Sequence, residues 1–141
     1  LGMSDLARLN EIVDATNTTD FRIVSFSNDV MRIIGSFDLG YYHTVEVDFH
    51  GVSFINLPTD FVEPQFRLAI PGERNDLRAV VGDESNLFCI EAEATEGSRR
   101  VTFHVAASGV VIREGMVYHF ARADLKDGER IAEWVKPLDS A

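Results

Sequence analysis

From Tyr41 the chain alternates residue by residue. Tyr41, His43, Val45, Val47 and Phe49 take one parity, and Tyr42, Thr44, Glu46, Asp48 and His50 take the other. Successive side chains of an extended backbone point to opposite faces, so a period of two in a run rich in Val, Thr, Tyr and Phe dictates a half-buried strand. The odd-numbered face is expected in the core and the even-numbered face in water. His50-Gly51 interrupts the run, and Val52, Phe54 and Asn56 resume it. A two-residue turn there pairs Phe49 with Val52 and Val47 with Phe54; the alternative is a bulge at Gly51 within one long strand.

Asn86 to Ala107 repeats the pattern. Phe88, Ile90, Ala92 and Ala94 face one way, and Val101, Phe103 and Val105 match them if the chain turns at Glu96-Gly97. That register sets Ile90 opposite Phe103, Glu93 opposite Arg100 and Cys89 opposite His104. Phe21–Phe26 and Val30–Phe37 read as strands about a Ser27-Asn28-Asp29 turn, with Gly35 as a site of bulging or close approach. Phe66, Leu68 and Ile70 form another short strand, and Val110–Ile112 and Met116–Phe120 form two more around Arg113-Glu114-Gly115. Pro58 to Pro64 reads as a surface-crossing loop or single turn, because proline has no N–H for an interior ladder.

Helical spacing occurs in two places. Leu6, Leu9, Ile12 and Val13 make one stripe, predicting a helix capped by Ser4 and running to about Ala15. Leu77, Val80 and Val81 ahead of Gly82 predict a second, over Glu73–Val81. Arg130–Val135 fits a strand or a last helical turn. Seven to nine strands joined mostly by short turns, with one to three helices, imply antiparallel pairing. The expected fold class is α+β: a mostly antiparallel sheet of consecutive hairpins, curled into a partial barrel or sandwich, with the N-terminal helix packed on it.

A chain of 141 residues, 45% hydrophobic and 26% charged, fits one globular domain over residues 4–141. Leu1-Gly2 ahead of Met3 reads as a cloning or cleavage remnant before the initiator methionine. The chain has no apolar run of about 18 residues and no basic-then-apolar leader, so neither membrane nor secretion is expected. Cys89, the single cysteine, can form no internal disulfide, which favours a reducing bacterial-type cytoplasm. A formal net charge of -10 argues against nucleic acid, whose phosphates need a basic surface, and favours a basic protein partner.

Three groupings carry possible chemistry. Glu46, Asp48 and His50 share a strand face at steps of about 7 Å, too far apart to converge on one metal unaided. Glu91, Glu93 and His104 form a second set beside Cys89, where the carboxylates oppose formation of a nucleophilic thiolate. His43 lies on the apolar parity with Tyr41, and Tyr118 and His119 fall on opposite parities of a later strand. Trp134 reads as a lid on one end of the core. The P-loop, G-x-G-x-x-G, H-E-x-x-H, C-x-x-C and G-x-S-x-G patterns are missing, so no cofactor, metal or catalytic residue is assigned. The candidate binding residues are Tyr41, His43, Glu46, Asp48, Glu91, Glu93 and His104.

These features lean away from an enzyme. They favour a non-enzymatic interaction module, antitoxin- or immunity-like, presenting Glu46, Asp48, Glu91 and Glu93 to a basic partner. A small-molecule or metal-binding β domain, hydrolytic in one version, is the first alternative, built on Tyr41, His43, Glu91 and His104. An inactive homodimer joined through an edge strand is the second.

Overall fold

A computed structural model describes residues 3–83 and 85–137. Helix α1 (Met3–Thr16) leads into strands β1 (Asp20–Ser27), β2 (Val30–Ser36), β3 (Tyr42–His50), β4 (Phe54–Ile55) and β5 (Asp60–Leu68). Helix α2 (Pro71–Val81) follows, then β6 (Asn86–Glu93), β7 (Arg100–Ala107), β8 (Gly109–Tyr118) and β9 (Arg130–Ile131). The strands form one curled, unclosed sheet in the order β4-β7-β6-β5-β1-β2-β3-β8-β9, antiparallel except for the β8–β9 pair. This is the α+β architecture that the alternation requires. Among the described residues no helix is long and apolar enough to cross a membrane. The side chain of Ser4, the expected cap, and the Leu1-Gly2 pair lie outside the described residues.

The helix lies on the concave face. Leu6, Leu9, Ile12 and Val13 are all buried against Phe21, Phe49, Phe61, Phe66 and Phe88, and burial of that apolar stripe is what stabilises so short a helix. Asn10 fixes its position. Its side chain donates to the Phe66 carbonyl at 2.8 Å and accepts from the Phe66 amide at 2.9 Å. β1 pairs β5 only from Asp60 to Val62, so the Asn10 amide occupies ladder positions that β1 leaves open.

The Asn86–Ala107 hairpin has the expected register, with Ile90 opposite Phe103, Cys89 opposite His104 and Glu93 opposite Arg100. The β1–β2 turn uses Asn28 and Asp29 at φ 54° and 63°, the positive values a tight hairpin demands. Gly35 is a close approach: a Cβ there would stand 2.5 Å from Phe21 Cε2 and 2.7 Å from Val45 Cγ1.

Three expectations are corrected. No hairpin forms at His50-Gly51. β3 pairs β2 and β8, while β4 pairs β7. Gly51, at φ 64°, turns the chain round a corner, and Ser108 turns β7 into β8 beside it, its amide donating to the His50 carbonyl at 2.8 Å. Two long strands therefore pass the corner together, close to the kinked-strand alternative; two long ladders on β3 outweigh the few pairs a His-Gly hairpin supplies. Next, Asp60–Leu68 is a sheet strand and not a loop. Phe61 is fully buried, and Pro64 falls in a bulge between Val62 and Gln65, where no ladder N–H is required. Finally, Val110 to Tyr118 is one strand, with Gly115-Met116 taken up by a bulge opposite Thr44. The ambiguous segments resolve as a helix at Pro71–Val81 and a strand at Arg130–Ile131.

Candidate functional site beneath the C-terminal strap

The bulge between β3 and β8 decides the site. Val45 belongs to the core, yet Thr44 also points towards α1, its hydroxyl 3.5 Å from that of Thr18. Two consecutive residues thus face the helix side, and parity inverts. His43 consequently joins Glu46 and Asp48 on the outer face of the sheet.

That outer face was expected in water, and it is covered instead. Glu46 and Asp48 are each only 3% exposed. Cross-strand register sets Arg32 of β2 opposite Asp48 and Arg113 of β8 opposite Glu46. Arg32 grips Asp48 with two hydrogen bonds of 2.9 and 3.0 Å. Arg113 donates to Asp48 at 2.7 Å and to Glu46 at 3.3 Å, and Arg130, delivered by β9, donates to Glu46 at 2.6 Å. The chain from His119 to Trp134 straps over this cluster, with Trp134 stacked on His43 at 6.2 Å between ring centroids and 5.2 Å from His119. The His43 hydrogen bond, then the Arg130 guanidinium, hold the Glu46 carboxyl well below the usual carboxylate range against the opposing effect of burial.

A hydrogen-bonded chain runs through the two imidazoles. Glu46 Oε2 lies 2.8 Å from His43 Nε2, His43 Nδ1 lies 2.8 Å from His119 Nε2, and His119 Nδ1 lies 2.9 Å from the Leu39 carbonyl. A carboxylate and a carbonyl terminate this chain, and both can only accept. His43 therefore links the His119 ring to the Glu46 carboxylate, and burial pushes His119 down from its ordinary value.

The remaining candidates lie elsewhere. Tyr41 is exposed, outside any strand, and contributes only its carbonyl, which accepts from the His119 amide at 2.8 Å. Glu91, Glu93 and His104 sit on β6 and β7. Glu91 takes a 2.8 Å bond from Arg67, which also binds Glu73 through two bonds of 2.7 Å. Glu93 accepts from the Gly97 amide at 2.8 Å and lies 3.9 Å from Arg100. His104 Nδ1 accepts from Asn56 at 3.2 Å, and burial lowers its pKa. Cys89, opposite His104, instead directs its thiol at Glu73, 3.6 Å away, and burial with the Glu73 charge pushes the thiol up to about 11. His50 is exposed at the corner.

The sites therefore divide: His43, Glu46 and Asp48 converge, whereas Tyr41, Glu91, Glu93 and His104 do not join them. Among the described residues no three His, Cys, Asp or Glu side chains are placed as a metal ligand set. The chain matches no family model, no curated protein and no solved structure. The residues missed by pattern reading are the arginines, Arg32, Arg113, Arg130 and Arg67, together with Glu73. Arg32 and Arg113 carried a legible signal, being the charged residues within otherwise apolar strand runs. Arg130 and Glu73 carried none, because each arrives from an element whose docking no local pattern encodes.

Proposed function

We propose that the chain is a non-enzymatic interaction module for a basic protein partner, working in a reducing cytoplasm in the manner of an antitoxin or immunity protein. The contact, on this reading, belongs to the carboxylates of α1 and the β5 bulge. Glu46, Asp48, Glu73 and Glu91 are already matched by arginines, so they contribute little to an outward acidic field. The observation that carries the proposal is the pairing of exposed Asp14 and Glu63 on one cavity of about 410 Å3, whose walls include Asn10, Asn17, Thr19 and Gln65, with Arg100 also on the lining but committed to the Glu63 and Glu91 carbonyls. Carboxylates and amides around a space of that size suit a lysine or arginine side chain. The tied-up state of the reactive groups, above all the raised Cys89 thiol, favours binding over catalysis.

The test immobilises the chain and its Asp14→Asn/Glu63→Gln double variant over lysate of the source organism. The proposal expects one basic protein retained at low salt, released by about 0.5 M salt and lost with the double variant. Equal retention by the double variant, or no basic protein at all, overturns it.

One observation favours self-association as a second reading. Among the described residues, β8 has a strand partner on its outer side only at Val117 and Tyr118, so the edge from Gly109 to Met116 is open for pairing with a second copy. A molar mass by light scattering that stays monomeric at millimolar concentration removes that reading.

A further inference from the structure

A second cavity, of about 600 Å3, opens between the β1–β2 pair and the C-terminal strap. Its floor is Ile34, which is 2% exposed, and Val24 and Leu39 form its apolar sides. Trp134 flanks it, 52% exposed although its ring packs against those of His43 and His119. Both nitrogens of His119 are committed, to His43 and to the Leu39 carbonyl, so its ring offers the cavity a surface and no proton. Arg22 is the one residue of the lining with a full charge. Its Nε bonds Asp60 at 2.6 Å, and among the described residues its two terminal nitrogens have no hydrogen-bond partner.

This region does not share the acidity of the chain as a whole. Net charge is -10, yet no carboxylate lines the cavity. Behind it Arg32, Arg113 and Arg130 stand against Glu46, Asp48 and Glu133, and Arg22 itself is paired with Asp60, so fixed charges of the two signs balance around the cavity. A wall of indole and imidazole over an isoleucine floor suits a flat ring, and free guanidinium nitrogens at the rim suit a carboxylate. We propose that this cavity binds a small aromatic carboxylate, its ring against Trp134 and Ile34 and its carboxylate on Arg22.

Trp134 is the only tryptophan, so a single indole N–H resonance reports on the cavity. The experiment titrates the full chain with 2-naphthoate, its neutral analogue 2-naphthamide and the ringless anion octanoate, following that resonance and the heat of binding. The expected result is saturable one-to-one binding of 2-naphthoate with a shifted indole signal, and binding of the amide and of octanoate each about tenfold weaker. Arg22→Gln should weaken 2-naphthoate by about tenfold while leaving the amide unchanged, and Arg22→Lys should restore part of the loss. Val24→Phe, which fills the space, should abolish binding of the naphthyl compounds. Absence of saturable binding at millimolar ligand overturns the proposal. So does equal affinity for acid and amide, equal affinity for octanoate, or a Val24→Phe variant that binds normally. The double variant of Asp14 and Glu63 does not touch this cavity, so failure of either proposal is read separately from the other.

Discussion

Two arginine–carboxylate networks decorate the outer face of the sheet, one under the C-terminal strap and one under α2, and they differ mainly in what covers them. In the first, the side chains of Glu46 and Asp48 are 4% and 5% exposed, although two of the arginines that bind them, Arg113 and Arg130, stay about half exposed. In the second, Arg67, Glu73 and Glu91 are 33%, 23% and 33% exposed, beneath a helix that buries none of its own residues. The chemistry is the same in both. Cover decides the energetic weight, because an ion stripped of one partner is far costlier in a dry site than where water can reach it.

The comparison is broken most directly at Glu46. Glu46→Gln keeps the volume but takes the counter-ion from Arg130 and the carboxylate acceptor from His43, while Arg113 keeps its bond to Asp48. The expected loss is about 2–3 kcal/mol, because the buried carboxylate site loses its charge-assisted bonds while the half-exposed Arg130 turns to water, and it is read from urea unfolding. A loss below about 1 kcal/mol would show that water reaches the strap network as readily as the other. Trp134→Ala comes next, at about 1–2 kcal/mol, since a half-exposed indole stacked on two imidazoles contributes partial burial and little else. In that variant the cost of Glu46→Gln should shrink, a coupling measurable in a double-mutant cycle.

Glu73→Gln should cost only about 1 kcal/mol, as expected for a partly exposed pair. Acid sharpens the contrast. The hydrogen bond from Arg67 holds the Glu73 carboxyl down at about 2 from an ordinary value of 4.5, and Glu46 is held lower still. Between the native and unfolded values the unfolded chain binds more protons, so stability rises with pH there. Each contribution is complete above about pH 4.5 and is lost as pH falls through the native value, near pH 2 for Glu73 and lower for Glu46. Glu73→Gln should therefore flatten the stability curve between about pH 4.5 and 2. Glu46→Gln should lower the whole curve and remove a slope that persists to more acid solution.

The two networks also differ in how far pattern reading reached them. Alternation placed Val45, Val47 and Phe49 in the core and set Cys89 against His104, because a period of two is a local property of an extended chain. It sent Glu46 and Asp48 to water because it treats a polar face as a wet one. Their cover comes from three other strands, and one of these, β9, is a two-residue strand returning after an eleven-residue excursion from β8. Alternation assigns His43 to the core parity, and the register shift between His43 and Val45, where Gly115-Met116 of β8 oppose Thr44, moves it to the charged face. Bulges likewise turned Pro64 and Gly115, which read as breaks, into interruptions that the sheet absorbs. Local chemistry thus reveals where strands are, while long-range register decides which of their polar residues meet.

The smallest expected effect is at Cys89, and it tests the α2 network from within. The thiol is buried and held at about 11 by burial first and then by the Glu73 charge. At about pH 8 that leaves roughly one thiolate in a thousand, so native protein should resist alkylation by iodoacetamide over hours. Glu73→Gln removes a negative charge 3.6 Å from Sγ while Arg67, still bound to Glu91, stays close. The thiol pKa should therefore fall and the native alkylation rate should rise, with the midpoint of its pH profile displaced downwards. An increased rate with an unmoved midpoint would mean that the substitution merely opened access by loosening α2. Access alone would place the network's main role in holding the helix down, and the displaced midpoint would place it in the field that Glu73 and Arg67 impose on the thiol.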